Sequence, residues 1–97
     1  MARTVEEREK LMNCAYNRGK YYLPMLIEHP WSKRAWMEVR MSACILAECN
    51  RSHSDKRTQE IQAIVWKYAW YRKEASLEEW QNSGYFDEKF YQKTIDK

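Results

Sequence analysis

The sequence predicts an all-α protein: a small helical bundle of two or three long helices with short helices at its C-terminal end. Glycine and proline occur only twice each, too rarely for the many tight turns of a β-sandwich or barrel. Apolar residues also recur at the spacing of amphipathic helices. A length of 97 residues corresponds to one domain, so we expect a single helical domain over residues 1–97.

The first long helix has a clear start in the sequence. Thr4 followed by Glu7 forms a capping box, in which the hydroxyl accepts a free backbone N–H and the carboxylate reaches back to the cap. Leu11 and Ala15 begin an apolar stripe at helical spacing. Pro24 disfavours helical geometry at the residue before it, so we predict a break or kink there.

Two more long helices are predicted from periodicity. Apolar residues follow a helical stripe from about Trp31 to Asn50, and again from Asp55 to Ala75. The polar segment between these stripes predicts a short loop. Its last serine, Ser54, can cap the third helix.

The C-terminal part predicts two short helices. Ser76 and Glu79 form a second capping box, so a new helix is expected to begin there. The Asn-Ser-Gly sequence that ends at Gly84 is typical of a helix stop. A last helix is predicted from about Asp87 to Ile95.

Charge and cysteine content predict a cytoplasmic protein. The net charge is +3, and acidic and basic residues are interleaved, as is typical of solvated helix faces. No segment approaches the ~20 apolar residues that cross a bilayer, and the N-terminus is charged where a signal peptide is apolar. Three cysteines cannot all pair within one chain, which favours a reducing compartment. We therefore expect no contact with a membrane.

Aromatic residues provide the main candidate site. Five tryptophans and seven tyrosines exceed the needs of a core of this size. Trp, Tyr and Arg are enriched at interface hot spots, which favours a protein-binding face on the third and fourth helices. The other interpretation is that helices packing from two sides bury these rings in the core. A core role and a binding role are compatible. The candidate face consists of Trp66, Trp70, Tyr71, Arg72, Lys73 and Trp80.

The connection between the first two helices adds a smaller candidate. Its His-Pro-Trp sequence contains Pro30 and Trp31 in a segment expected to be accessible. It suits a docking point for a protein partner, or a site for a prolyl isomerase. The simpler interpretation is that Pro30 only separates two helices.

Nucleic-acid binding is the alternative function. Aromatic rings interleaved with basic residues can stack on single-stranded bases while the cations contact phosphates. The candidate phosphate ligands are Lys33, Arg34, Lys56 and Arg57. Acidic residues are seldom far away, so scattered surface charge explains these four residues as well.

Metal binding and catalysis have little support in the sequence. Cys44, Cys49 and His53 lack the close pairing of zinc ligands, and cysteine on an apolar stripe behaves as a small hydrophobe. No Gly-rich phosphate loop, nucleophile elbow or metalloprotease motif is present. We therefore expect no metal, no cofactor and no enzymatic activity.

A resemblance adds a more specific expectation. In overall length and character, including its capping boxes and the aromatic run from Ile64 to Lys73, the chain resembles small bacteriophage proteins that bind and modify host enzymes. Within that group it is most similar to the anti-RecBCD proteins encoded beside the recombination genes of lambdoid phages. The resemblance implies binding to the host RecBCD helicase–nuclease and a change in its DNA processing. It is also compatible with a host prolyl isomerase acting at Pro24 or Pro30.

These observations predict a non-enzymatic interaction protein that binds a host enzyme complex and inhibits or redirects it. The alternative is a direct DNA- or RNA-binding protein, and a third hypothesis is a homo-oligomer that uses the aromatic face on itself. The sequence leaves open whether Trp66 and Trp70 are buried or displayed.

Overall fold

The fold consists of five α-helices, and no strand forms within residues 4–96, which are the residues that the computed structural model describes. The all-α prediction is therefore confirmed, with three long helices followed by two short ones. The helices are α1 (Val5–Glu28), α2 (Lys33–Cys49), α3 (Lys56–Tyr71), α4 (Leu77–Asn82) and α5 (Glu88–Ile95).

The chain divides into two compact units, one ending at Ile61 and one beginning at Gln62. The first unit contains α1, α2 and the first residues of α3. The second contains the remainder of α3 together with α4 and α5. The single domain predicted over residues 1–97 stays a prediction.

Helix α1 continues through Pro24, so of the break or kink predicted at that position the break is wrong, and the kink stays a prediction. A proline inside a helix removes one backbone hydrogen bond and crowds the preceding turn, at a cost of about 3 kcal/mol. Leu26, two residues later, is 0% exposed. Burying such a side chain stabilises by about 1.5–3 kcal/mol, so packing of the final turn offsets much of the proline's cost. The helix ends where the His29 N–H donates to the Met25 carbonyl at 2.8 Å.

Helices α1 and α2 approach closely at Gly19 in the first unit. A Cβ atom at this position would lie 3.2 Å from the Cβ of Ser42 and 3.1 Å from Cδ1 of Ile61. These distances are tighter than ordinary van der Waals contacts, so the absence of a side chain lets the helices meet. The apolar core of this unit comprises Met12, Ala15, Leu26, Ala35, Trp36, Val39, Ala43, Leu46 and Ile61.

The ends of α3 differ from those predicted. The helix begins after Asp55, whose carboxylate accepts the Arg57 N–H at 2.8 Å. Ser54 does not cap the helix and instead shares a hydrogen bond of 2.9 Å with the hydroxyl of Ser52. At the other end α3 stops at Tyr71, before the predicted Ala75, because Lys73 adopts a left-handed conformation with φ 62°.

The predicted boundaries of the two short helices in the second unit are confirmed. Ser76 and Glu79 form both halves of the capping box, with the Glu79 N–H donating to the serine hydroxyl at 3.1 Å. Gly84 follows α4 with φ 84°, a conformation that glycine adopts without strain. Asp87 caps α5 by accepting the Phe90 N–H at 3.1 Å.

Candidate functional site

The predicted aromatic face of α3 and α4 contributes largely to packing within the second unit. Trp80 is 0% exposed, so its ring is not on a surface that a partner could touch. This corrects the expectation that Trp80 belongs to a binding face. Trp66, Trp70, Tyr71 and Arg72 are half-buried, and Lys73 is exposed.

Trp80 lies at the centre of an aromatic cluster. Its ring stacks on Trp70, with centroids 5.9 Å apart, and meets Phe86 edge-on at 4.7 Å. Its indole N–H donates to the Tyr85 carbonyl at 3.3 Å, which satisfies the polar atom of a fully buried side chain. Tyr91 packs beside both tryptophans, with centroids 5.8 Å from Trp70 and 6.3 Å from Trp80. The cluster explains why a small unit needs so many aromatic residues.

A shallow pocket of about 360 Å³ is lined by two residues of the predicted face, Trp70 and Lys73, together with Glu79 and its neighbours. The backbone at Lys73 is held in place by a Schellman motif, since the Lys73 N–H donates to the Trp70 carbonyl and the Glu74 N–H to the Ala69 carbonyl. The α3 terminus thereby fixes where the lysine side chain emerges.

Exposed apolar side chains concentrate on the first unit. Of the five tryptophans, all within residues 4–96, Trp31 is the exposed one, with 68% of its surface accessible. It lies in the turn between α1 and α2, where its ring packs edge-on against His29 at 5.3 Å, beside the half-buried Pro30. Among the described residues, the large exposed apolar side chains of this unit are Val5, Tyr21, Met25, Ile27, Trp31, Met37 and Met41, and the second unit adds Ile95.

A groove of about 660 Å³ runs between α1 and α2, and we call it the hairpin groove. Its apolar lining includes Leu11, Tyr21 and Ile45. An ion pair between Arg18 and Glu38 spans the two helices, and its hydrogen bond lowers the pKa of the Glu38 carboxyl. The groove is therefore lined by apolar side chains, and an ion pair joins the two helices across it.

The sequence contains a signal for this groove. Leu11, Cys14, Arg18 and Tyr21 are spaced by three, four and three residues, which marks a second helical stripe beside the buried one. A mixed stripe of this kind is also what an ordinary solvated face contains. Only the position of α2 distinguishes a stripe that lines a groove from an ordinary solvated face.

Arg57, one of the candidate phosphate ligands, is instead engaged within the first unit. Its guanidinium contacts Asp55 at 2.7 Å, Glu9 at 3.0 Å and Asn13 at 2.6 Å. The hydrogen bond from Arg57 lowers the pKa of Asp55 to about 2, and the hydrogen bonds to Asp55 and Glu9 raise the pKa of Arg57. The side chain therefore ties the start of α3 to α1. The expectation that Arg57 is free to hold a phosphate is corrected.

The other candidate phosphate ligands are exposed but far apart. Lys33 and Arg34 begin α2, whereas Lys56 begins α3, after the loop that follows the opposite end of α2. A helix with the length of α2 spans about 25 Å, at 1.5 Å per residue. The two groups of cations therefore do not form one compact patch, and the nucleic-acid alternative stays a prediction.

The three thiols lie on the first unit. Cys14 and Cys44 are exposed and Cys49 is half-buried. Within the described residues, no three His, Cys, Asp or Glu side chains are arranged to hold a metal ion. In the same part of the chain, no helix combines the length and apolar character needed to cross a membrane.

Comparison with known proteins adds no relative. No protein-family model, curated protein sequence or solved structure matches the chain.

Proposed function

We propose that this chain is a non-enzymatic interaction protein that binds a host enzyme complex and inhibits or redirects it. The observation that carries the proposal is the concentration of exposed apolar side chains on the α1–α2 hairpin, above all Trp31. Apolar surface gathered on one part of a small protein is typical of an interaction site. The site offers apolar surface for binding rather than an arrangement of reacting groups.

Trp31 has the properties of an anchor for a protein partner. It protrudes from a turn that is fixed at both ends by helices, and it is 68% exposed. Inserting such a ring into a pocket buries a large apolar area at a small loss of side-chain freedom, which is why tryptophan dominates interface hot spots. Tyr21 and Met25, on the last turns of α1, extend the apolar surface.

The hairpin groove supplies a second contact for the same partner. An amphipathic helix can lie between two antiparallel helices and bury its apolar side chains against residues such as Leu11 and Ile45. The ion pair of Arg18 and Glu38 would meet polar groups at its edge. Trp66, Trp70, Tyr71, Arg72 and Lys73 remain candidates for further contacts, through the parts of them that stay accessible.

The resemblance to phage accessory proteins supports RecBCD as the complex and the host bacterial cytoplasm as the location. In this proposal the chain changes how RecBCD processes DNA during phage recombination. A host prolyl isomerase is a further candidate partner. The His29–Pro30 bond lies in a turn, which suits such an enzyme better than Pro24, which lies inside α1.

The test is binding of the purified full chain to purified RecBCD, measured by interferometry together with digestion of linear duplex DNA. We expect saturable binding and altered digestion. Trp31→Ala should weaken binding by about 30-fold, the effect of removing a hot spot worth about 2 kcal/mol. Ile95→Ala is the matched control, because Ile95 is also an exposed apolar residue and lies on the second unit.

Three outcomes would count against the proposal. Absence of binding to RecBCD would remove the named partner. Equal losses for Trp31→Ala and Ile95→Ala would remove the hairpin as the site. Salt-sensitive binding of labelled single-stranded DNA, without binding of RecBCD, would favour the nucleic-acid alternative.

A further inference from the structure

One row of side chains along α2 has the spacing of a coiled-coil seam and faces solvent along its whole length. Arg34, Met37, Met41, Cys44 and Glu48 are separated by three, four, three and four residues. All five are exposed, with 65% of Met37 and 58% of Met41 accessible. We call this row the α2 seam. A continuous seam with three weakly polar side chains at its centre is suited to packing against another helix.

The charges at the two ends of α2 are placed against the helix macrodipole. Lys33 and Arg34 lie in the first turn, and Glu48 lies in the last turn, which contains no basic residue. The N-terminus of a helix favours negative charge and the C-terminus positive charge, so this arrangement is unfavourable for α2 alone. It becomes favourable when an antiparallel helix brings its acidic end to Lys33 and Arg34.

We propose that the α2 seam pairs with the α2 seam of a second copy of this chain, antiparallel and around a twofold axis at Met41. In this register Met41 packs on Met41 of the second copy, and Met37 packs on Cys44. Arg34 pairs with Glu48 at both ends. The α2 seam is therefore complementary to the same seam running in the opposite direction, which is the requirement for a twofold interface.

Two structural details support this register. Arg34 contacts Tyr22 and Glu38 within its own chain but remains 70% exposed, so its guanidinium has further donors for a carboxylate. A shallow pocket of about 240 Å³ lies beside Cys44 and Glu48, where Met37 of the second copy would enter. The seam is short, so the dimer is expected to be weak.

This inference does not rest on the proposed function, and the first experiment measures mass rather than partner binding. Sedimentation equilibrium of the full chain at about 100 μM is expected to give a species of twice 11.9 kDa that dissociates on dilution. Met41→Glu should place two carboxylates at the axis and weaken the dimer by more than about tenfold. Met25→Glu is the matched control, because Met25 is an exposed methionine on α1 and should leave the dimer unchanged.

Charge exchange separates pairing from any loss of folding. Arg34→Glu alone and Glu48→Arg alone each place like charges together at both ends of the seam, so each should weaken the dimer. The double variant Arg34→Glu/Glu48→Arg re-forms opposite pairs across the axis and should restore it. Restoration is not expected if the two side chains act only within one chain.

Cross-linking then tests the register. In a background with Cys14, Cys44 and Cys49 replaced by serine, Met41→Cys should form a covalent dimer on mild oxidation, whereas Met25→Cys should remain a monomer. A wild-type chain that stays monomeric at this concentration would overturn the proposal. A dimer that persists in the Met41→Glu variant would also overturn it. So would a monomeric wild type that binds a host partner through Met41, which loss of that binding in Met41→Glu would reveal.

Discussion

The ring of Trp70 stacks on the ring of Trp80, with centroids 5.9 Å apart and planes inclined by 17°. This contact packs two residues of the predicted binding face against each other within the second unit. Phe86 and Tyr91 complete the enclosure of Trp80. Of the predicted binding face, Trp80 therefore belongs to the core of the second unit and Trp70 is half-buried against it.

Replacing Trp80 with alanine is expected to lower the free energy of unfolding by about 3–5 kcal/mol, because it leaves a large cavity and removes the stacked neighbour of Trp70. Urea denaturation followed by circular dichroism measures the change. Near-ultraviolet circular dichroism should also lose signal, since the aromatic cluster fixes the ring orientations.

Trp31→Ala is the control for the aromatic cluster. Trp31 is 68% exposed, so its removal should change the free energy of unfolding by less than about 0.5 kcal/mol. If both substitutions had similar small effects on stability, Trp80 would not be the centre of a packed cluster. Trp66 is half-buried, so Trp66→Ala should lower the free energy of unfolding by an amount between those for Trp31→Ala and Trp80→Ala.

Helix starts were largely predictable because capping is a local property. Thr4 accepts the Glu7 N–H at 3.1 Å, and Ser76 and Glu79 form the predicted box. Chemistry within three residues decides these contacts, so no knowledge of the fold is needed. The end of α4 was predictable for a local reason too, because Gly84 adopts a positive φ that glycine accommodates without strain.

Burial and the pairing of charges were not predictable in this way, because they depend on residues distant in the chain. Arg57 contacts Glu9 and Asn13, which lie more than forty positions earlier in the chain. The interpretation of Arg57 as scattered surface charge names neither of these partners. Trp80 is enclosed by Trp70 of α3, Tyr91 of α5 and Phe86 of the loop between α4 and α5, and no helical stripe assigns these residues to it. The course of α1 through Pro24 likewise follows from tertiary packing that overrides a local preference.

Acid should weaken the contact between Asp55 and Arg57. The hydrogen bond from Arg57 lowers the pKa of Asp55 from 3.8 to about 2, so the carboxylate stabilises the folded state above pH 3.8. That contribution is lost as the pH falls towards 2. We expect it to be on the order of 1 kcal/mol, because both side chains keep some contact with water.

Asp55→Asn isolates the charge, since asparagine still caps a helix. The free energy of unfolding of the wild type should exceed that of Asp55→Asn at neutral pH. The two should converge as the pH falls through the range between 3.8 and 2. A difference that is independent of pH across this range would mean that the ion pair does not stabilise the fold.

Gly19→Ala is expected to destabilise the first unit by about 1 kcal/mol, although alanine is normally favoured over glycine inside a helix by a similar amount. The added methyl would lie 3.1 Å from Ile61 and 3.2 Å from Ser42, so α1 or its neighbours must shift. Thermal denaturation should show a lower midpoint. Asn17→Ala, at an exposed position of the same helix, should raise the midpoint slightly.

Lys73→Gly should stabilise the second unit by about 1 kcal/mol, because Lys73 adopts the left-handed conformation at the end of α3 with φ 62°. The Glu74 N–H donates to the Ala69 carbonyl there, and glycine is the preferred residue in this helix-ending motif. Urea denaturation measures the gain.

Lys73→Ala is the matched variant, since it also removes the ammonium group but relieves no backbone strain. If Lys73 contributes to binding a partner, both variants should bind more weakly, although only Lys73→Gly is more stable than the wild type. If Lys73 serves only to end the helix, Lys73→Gly should bind as well as the wild type. A Lys73→Gly variant with unchanged stability would mean that the left-handed backbone carries no strain, because neither the conformation nor its hydrogen bonds depend on the lysine side chain.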